Sequence, residues 1–272
     1  MPVSFARNGT KLWQRRTRLS DWLRYLAWLL IVALFVFCWR LMTMDTIWAY
    51  VLDSPRQGAD IVSRMWPPRF GYLWQLWAPL WATINMATLG TLLAIVLALP
   101  FAFLSAIKTT PNRYLVRSMA LLVISASRSI NSIIWTMLLV AIVGPGVLAG
   151  VIAIALRSFG FISKLLYEAI DEVSNHPLEA IRSTGASGPQ VLAFGIWPQI
   201  TPAFVGISLF RWDINIREAT VLGLVGAGGI GANLEASMNL LAWPQVAVIL
   251  TVILATVIFS EWLSAAIRQS LI

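Results

Sequence analysis

Long apolar runs, divided by short polar stretches, constrain the fold of this 272-residue chain more than any other feature. A helix needs about 20 mostly apolar residues to cross the hydrocarbon core of a bilayer, and its backbone polar groups must bond within the segment. We therefore predict an all-α, polytopic membrane protein with about six transmembrane helices. The predicted spans cover residues 25–42, 80–107, 118–143, 147–167, 191–223 and 244–267.

The composition excludes several other classes of protein. Hydrophobic residues make up 58% of the chain and charged residues only 12%, with a mean hydropathy of +0.76, which is too apolar for a soluble domain. A net charge of +8 is compatible with nucleic-acid binding. The positive-inside rule explains it better, because basic residues gather in the N-terminal tail and in the loop after the second span. We expect contact with membrane lipid and none with nucleic acid.

Charge and aromatic patterns divide the chain into three predicted regions. Residues 1–24 form a basic cytoplasmic tail, and residues 25–79 hold the first transmembrane helix and an outer interfacial loop. Residues 80–272 form the main transmembrane domain, so we expect both termini on the cytoplasmic side of a bacterial inner membrane. Aromatic residues in the outer loop either anchor it to the bilayer or contact a partner. They include Trp48, Trp66, Trp74 and Trp77.

The chain lacks the residues that most kinds of chemistry need. A single cysteine, Cys38, and a single histidine, His176, exclude an internal disulfide and a Cys-rich or His-rich metal site. No G-x-x-x-x-G-K-[ST] sequence occurs, so the chain supplies no phosphate-binding loop for ATP. We expect no cofactor, no metal and no catalytic residues on this chain.

Residues 175–202 form the one long polar interruption in the second half of the chain. Within it, residues 176–182 are compatible with a short helix, because Pro177 suits the first turn of a helix and Gly185 suits its end. An amphipathic helix here would lie between the fourth and fifth spans on the cytoplasmic side. Our hypothesis is that it pushes against a soluble partner.

Charged residues inside membrane spans are rare and costly, so they indicate function unless they neutralise one another. Arg128 and Arg211 have no oppositely charged residue four positions away, and guanidinium groups suit an oxyanion cargo. Asp213 and Arg217 are four residues apart and can pair on a helix. Whether these two residues and Glu218 serve the cargo or form only internal ion pairs stays open.

Polar residues extend this candidate anion pathway. Asn215 lies one helical turn after Arg211, on the face that also carries Glu218. Three others flank Arg128, and each either donates to an anion or bonds between helices. They are Ser127, Ser129 and Asn131. From the sequence we expect Arg128→Ala and Arg211→Ala to lower uptake more than assembly.

A glycine-rich segment follows the charges of the fifth span and is predicted to break the helix as a gate or hinge. Its glycines are Gly226, Gly228, Gly229 and Gly231. Three of them satisfy G-x-G-x-x-G, but a dinucleotide site also needs a preceding strand and a later acidic residue within a βαβ unit. A membrane helix provides no such unit, so we interpret the glycines as structural.

The polar interruption also carries a spaced motif. Glu179-Ala180-Ile181 is followed after three residues by Gly185 and after nine more by Gly195-Ile196-Trp197-Pro198. This resembles the EAA loop of ABC importer permeases, E-A-A, three residues, G, nine residues, I-x-L-P, with departures at Ile181, Gly195 and Trp197. The resemblance implies a coupling helix near residues 174–190 that docks in a cytoplasmic ATPase. The residues implied in coupling are Glu179, Ala180, Ile181, Arg182, Gly185 and Pro198.

Residues 211–231, RWDINIREATVLGLVGAGGIG, are similar to the corresponding stretch of phosphonate-type permeases, including phosphite transporters. The resemblance covers roughly residues 82–261 and implies the type I ABC importer permease fold. Such importers combine two permease copies, an ABC ATPase dimer that binds ATP and Mg, and a periplasmic or surface substrate-binding protein. The implied function is import of a phosphonate, phosphite or phosphate-like oxyanion by ATP-driven alternating access.

Two other classes of function would explain parts of this sequence. A secondary transporter or channel for a small anion would carry the same intramembrane charges, but only a coupled ATPase explains the EAA-like loop. A membrane-embedded enzyme would need a clustered nucleophile, base or metal set, which the sequence does not offer. Co-purification of an ATPase subunit separates the first class from both others.

Overall fold

Helices dominate the computed structural model, which describes residues 3–5, 11–13 and 18–271. Two three-residue strands, β1 (Val3–Phe5) and β2 (Lys11–Trp13), pair antiparallel. The helices are α1 (Arg18–Thr43), α2 (Trp48–Arg64), α3 (Leu73–Ser105), α4 (Val116–Ser129), α5 (Ser132–Val143), α6 (Val147–Glu172), α7 (Asn175–Ser183), α8 (Gly188–Gln190), α9 (Trp197–Leu222), α10 (Gly229–Asn239) and α11 (Trp243–Leu271). The all-α prediction is confirmed. Of the predicted basic tail, Arg7, Arg15 and Arg16 lie outside the described residues.

Within the described part of the chain, five stretches are helical, long and apolar enough to cross a membrane. They are Asp21–Thr43, Phe70–Ser105, Val147–Glu172, Gly188–Ala227 and Trp243–Gln269. The pair α4 and α5 makes a sixth if it is taken as one broken span, bent by 86°. The predicted number of about six spans is therefore confirmed.

The uninterrupted third span predicted over residues 118–143 is wrong. Ser127, Arg128 and Ser129 lie in the last turn of α4, and Asn131 caps the start of α5, so these polar residues stand at a helix junction and not in the middle of one helix. Asn131 is extended (φ −69°, ψ 147°), and its side-chain oxygen accepts a hydrogen bond from the backbone N–H of Ile133 at 3.2 Å. Asparagine favours such N-cap positions because its side chain satisfies a free N–H of the first turn. The sequence therefore codes a new helix start where we predicted helix interior.

Two units divide the chain, Met1–Asp60 and Ile61–Ile272. The first contains the apolar helix α1 and most of α2. In the second, α3 and α6 pack along each other, and α9 contacts both. Small residues allow this approach, since a Cβ on Gly90 would lie 2.6 Å from Ile154 Cγ2 and one on Gly150 would lie 2.4 Å from Met86 Sδ. Buried Met86, Ile154 and Leu222 join the three helices in one apolar cluster.

The glycine-rich segment interrupts the helix after α9, as predicted. A π-helical turn over Gly223–Ala227 ends at Gly226 and Gly228, whose φ angles are +94° and +80°. Only residues without a Cβ adopt such angles readily. The chain then returns as α10, so much of the segment between the fifth and sixth predicted spans is helical. A Cβ on Gly231 would lie 2.1 Å from the Thr220 carbonyl oxygen, which explains why α10 can start so close to α9.

Candidate functional site

Helix α7, which we name the coupling helix (Asn175–Ser183), is amphipathic. Leu178 is only 3% exposed and packs with Ile170, Val191 and Ile200 from the helices on either side. Ile181, three residues on, packs against the same cluster. The opposite face of the helix is exposed, and the residues on it include Glu179, Ala180 and Arg182. Burial thus fixes the helix through one stripe and leaves the motif glutamate free.

The end of the coupling helix is fixed by local hydrogen bonds. Gly185 adopts φ +82° and its N–H donates to the carbonyl of Arg182 at 3.0 Å. Ser187 and Gln190 then form a capping box at the start of α8. Pro198 lies exposed in the first turn of α9. The short helix predicted for residues 176–182 and its end at Gly185 are confirmed.

Two departures from the family motif meet in space. A Cβ added to Gly195 would lie 3.3 Å from Ile181 Cδ1, and 3.6 Å from Leu178 Cγ. The family motif has a small alanine where this chain has Ile181, and a large isoleucine where this chain has Gly195. The large side chain therefore stands on the opposite side of the contact. The exchange conserves volume across the contact, which packed interiors tolerate well.

Polar contacts connect the coupling helix to the bundle on both sides. The backbone N–H groups of Ile107 and Lys108 donate to Asp171 Oδ1 at 2.7 and 3.4 Å, and the Lys108 ammonium donates to the Val173 carbonyl. The Ser174 N–H donates to Gln199 Oε1 at 3.2 Å. The loop after α3, the end of α6 and the start of α9 are therefore joined at the base of the coupling helix.

A second candidate region lies on α6 and α9, and we name it the charge cluster: Arg157, Arg211, Asp213, Arg217 and Glu218. Arg217 donates to Asp213, which confirms the predicted pair. Asp213 is 8% exposed and also accepts from the Ser260 hydroxyl on α11 at 2.7 Å. Arg217 itself is 48% exposed. One member of this pair is thus fixed by burial and the other faces outward.

Arg211 is not the unpaired arginine that its near sequence indicates. Its Nη2 lies 3.3 and 3.4 Å from the carboxylate oxygens of Glu218, two helical turns later, and its Nε donates to the Ser158 hydroxyl at 2.9 Å. Its guanidinium carbon also lies 5.2 Å from the centre of the Phe161 ring, within cation–π range. With 3% of the side chain exposed, Arg211 is fully engaged within the subunit.

Asn215 is likewise enclosed. Its side-chain N–H donates to Thr91 Oγ1 at 2.8 Å, and its carbonyl oxygen accepts from the Ser158 hydroxyl at 3.0 Å. The residue has no exposed surface. These bonds join α3, α6 and α9, and they satisfy polar groups that would be costly to bury alone.

The polar patch around Arg128 lies where α4 ends. The Ser127 hydroxyl donates to the Leu156 carbonyl on α6, so this serine makes a bond between helices. The helices meet at Gly160, where a Cβ would lie 2.8 Å from Arg128 Cγ. Arg128, Ser129 and Asn131 are exposed, and Ser129 donates locally to the Ala126 carbonyl.

Arg157 belongs to the charge cluster, but it was not among the residues predicted from the sequence. Its Nε lies 3.6 Å from Glu218 Oε1, and its side chain is 30% exposed. It sits inside the fourth predicted span, so the rarity of charge within a span was the signal that could have identified it. A pocket of about 290 Å³ with mixed polar and apolar walls opens beside it, lined by Asn131, Ser132, Ile133, Arg157, Arg217, Glu218, Val221 and Leu222. Helix α5 begins at this pocket.

No group of three or more His, Cys, Asp or Glu side chains is placed to hold a metal ion among residues 3–5, 11–13 and 18–271. The arrangement offers instead fixed positive charge, a helix start and a small cavity, which suit an anion.

Comparisons with known proteins identify relatives among membrane transport components. Residues 98–271 match the family described as "Binding-protein-dependent transport system inner membrane component". The phosphite transport system permease protein PtxC of Stutzerimonas stutzeri is 37% identical over 250 residues, which cover 91% of this chain and 90% of that protein. The phosphate-import permease protein PhnE of Mycolicibacterium smegmatis is 36% identical over 229 residues, 84% of this chain and 43% of that protein.

A solved structure gives the same answer for the fold. The inward-facing MetNI methionine ABC transporter superposes with a TM-score of 0.65 at 19% identity, over 74% of this chain and 98% of that chain. At that identity the likeness concerns the fold alone, and the fold is that of a type I importer permease.

Proposed function

This chain belongs to the family of binding-protein-dependent transport system inner membrane components and is a permease subunit of an ABC importer; we propose that its cargo is a small phosphorus oxyanion. It is a transport component and not an enzyme. Relatives named for phosphite and phosphate transport support the class of cargo. The pocket beside Arg157 supports it independently, because Arg157, Arg217 and the start of α5 place anion-binding groups in its walls.

The single observation that carries the coupling half of the proposal is the amphipathic build of the coupling helix. Its apolar stripe is buried by the bundle, and its exposed face carries the side chains of Glu179 and Arg182, which lie outside that stripe. Such a helix transmits force if a partner grips the exposed face. We assign that partner as a cytoplasmic ABC ATPase dimer, which holds the ATP and Mg; Gly185 and Pro198 set the ends of the lever.

The transport cycle proposed here is alternating access. Movement of the coupling helix is passed to α6 and α9 through Asp171, Ser174 and Gln199, which bond the loops at its base. The same two helices carry the charge cluster, so the coupling region and the proposed cargo site are connected through α6 and α9. The glycine break at Gly226, Gly228, Gly229 and Gly231 is the candidate gate, since it lies at the far end of α9.

Within the pathway, exposure separates two roles. Arg128, Ser129, Asn131 and Arg217 have exposed surface and are proposed to face the cargo. Arg211, Asn215 and Ser127 are engaged in bonds between helices and are proposed to hold the frame. The ion pairs of Asp213 and Glu218 neutralise part of the positive charge. We further propose a homodimeric permease, a periplasmic or surface binding protein, and both termini in the cytoplasm.

Reconstitution tests the function directly. The chain would be co-expressed with its ATPase and binding-protein partners, purified as a complex and placed in proteoliposomes with ATP inside. We expect uptake of phosphite, methylphosphonate or phosphate that requires ATP and the binding protein, and no uptake of sulfate or D-methionine. Oxyanion uptake that proceeds without the ATPase would instead support a secondary transporter or channel. Uptake of D-methionine alone would overturn the proposed cargo.

A further inference from the structure

Two arginines share one carboxylate in the charge cluster. Glu218 Oε1 lies 3.3 Å from Arg211 Nη2 and 3.6 Å from Arg157 Nε. The first contact is a hydrogen bond, while the second is an ion pair without hydrogen-bond geometry. Arg157 therefore has donors that Glu218 does not use, since a guanidinium carries five N–H groups.

Burial decides which arginine can change partner. Arg211 is 3% exposed, bonds to Ser158 and lies over the Phe161 ring, so removing Glu218 from it would leave a buried charge without a counter-ion. Arg157 is 30% exposed and lines the pocket of about 290 Å³. Arg157 can thus turn toward an anion in the pocket at little cost while Arg211 keeps Glu218.

The pocket supplies further groups for the same anion. Arg217 on α9 also lines it; this side chain pairs with Asp213 and is 48% exposed. Asn131, Ser132 and Ile133, the first residues of α5, form another wall. The N-terminal end of a helix of this length favours negative charge. A volume of about 290 Å³ is ample for a small tetrahedral anion.

We propose that Arg157 binds the transported oxyanion in this pocket, and that Glu218 holds Arg157 when no cargo is present. Glu218 thereby acts as an internal substitute for the cargo: it keeps the guanidinium in place and gives way to an incoming anion. Arg217 and the start of α5 complete the site. This inference rests on the proposed function, because it names the residues through which the same cargo is recognised.

The first experiment compares two cations on α6. Arg157→Gln removes the proposed cargo contact; Lys164→Gln is its matched control, because Lys164 also lies 3.6 Å from a carboxylate, that of Glu168, with similar exposure but outside the pocket. In proteoliposomes we expect Arg157→Gln to lower ATP-dependent phosphite uptake about 10-fold or more, and Lys164→Gln to match the unsubstituted chain. Arg157→Lys should retain more uptake than Arg157→Gln, since lysine keeps the positive charge but lacks the paired N–H donors of a guanidinium.

The second experiment measures binding without transport. The thermal unfolding midpoint of the purified complex would be recorded in phosphite and in chloride at equal ionic strength, because a ligand that binds the folded state raises it. We expect Glu218→Gln to increase the phosphite-dependent shift, since Arg157 no longer has a competing carboxylate. Arg157→Gln should reduce the shift, and Glu168→Gln should leave it as in the unsubstituted chain.

The outcomes separate this inference from the proposed function. If the unsubstituted complex imports a phosphorus oxyanion while Arg157→Gln and Lys164→Gln transport equally well, the function stands and the role of Arg157 is overturned. Absence of oxyanion uptake by the unsubstituted complex overturns the function itself. Should Glu218→Gln not assemble, because Arg211 loses its partner, the Arg157 variants still decide the question.

Discussion

The coupling helix rests on Leu178 and Ile181, which are apolar, whereas the charge cluster rests on Arg211, Asp213 and Asn215, which are polar and almost fully buried. In both regions, buried residues fix the geometry, and exposed residues remain available to contact a partner or the cargo. The two regions differ in how a substitution of a buried residue lowers stability. An apolar anchor loses packing when it is truncated, while a buried ionic anchor leaves a partner charge unpaired.

The largest effect is expected for Arg211→Ala. Because Glu218 would keep only its longer contact to Arg157, we expect a loss of about 3–5 kcal/mol of stability, seen as a lower thermal unfolding midpoint and poor recovery of the assembled complex. This replaces the expectation from sequence that uptake would fall more than assembly. Lys164→Ala, on the neighbouring helix and partly exposed, is the control. Normal assembly of Arg211→Ala with selective loss of uptake would place Arg211 with the cargo instead.

An intermediate effect is expected at the contact between Gly195 and Ile181. Gly195→Ile adds a side chain where a Cβ alone comes within 3.3 Å of Ile181 Cδ1, and overpacking of this kind costs about 1–3 kcal/mol. Ile181→Ala should relieve much of that cost, so that the double variant unfolds at a higher temperature than Gly195→Ile alone. Strictly additive effects would show that the two positions do not compensate each other.

The smallest effect on stability, and a large one on function, is expected for Glu179→Ala. The side chain is exposed and outside the buried stripe, so the free energy of unfolding should change by less than about 0.5 kcal/mol. Stimulation of ATPase activity by the binding protein should be lost in the assembled complex. Glu172→Ala, which removes an exposed carboxylate at the nearby end of α6, should retain stimulation. Equal stimulation in both variants would remove Glu179 from the coupling surface.

The coupling region could be predicted closely from the sequence, because its signals are local. Pro177 lies in the first turn of the helix, and Gly185 bonds to Arg182 three residues earlier, because helix capping and termination depend on near neighbours. The charges within the fifth span were also recognised, since charge among apolar residues stands out. The Asp213 and Arg217 pair followed from helical spacing alone.

Other features depend on contacts that spacing along the chain does not encode. Arg211 finds Glu218 seven residues away and Ser158 on another helix, so its burial and engagement needed the packing of α6 against α9. Arg157 has no acidic residue three or four positions away, so its contact with Glu218 on another helix could not be inferred from spacing. The break at Asn131 was missed because a polar patch within an apolar run was interpreted as helix interior, although asparagine is also a helix-starting residue.

One paired measurement tests the central claim that exposed residues of the two regions serve different partners. Phosphite uptake and binding-protein-stimulated ATPase activity would be recorded on the same proteoliposomes for Glu179→Ala and Arg157→Gln. The account predicts that Glu179→Ala loses stimulation and uptake together, whereas Arg157→Gln loses uptake about 10-fold with a much smaller loss of stimulation. Parallel loss of both activities in both variants would contradict the division between a coupling surface and a cargo site.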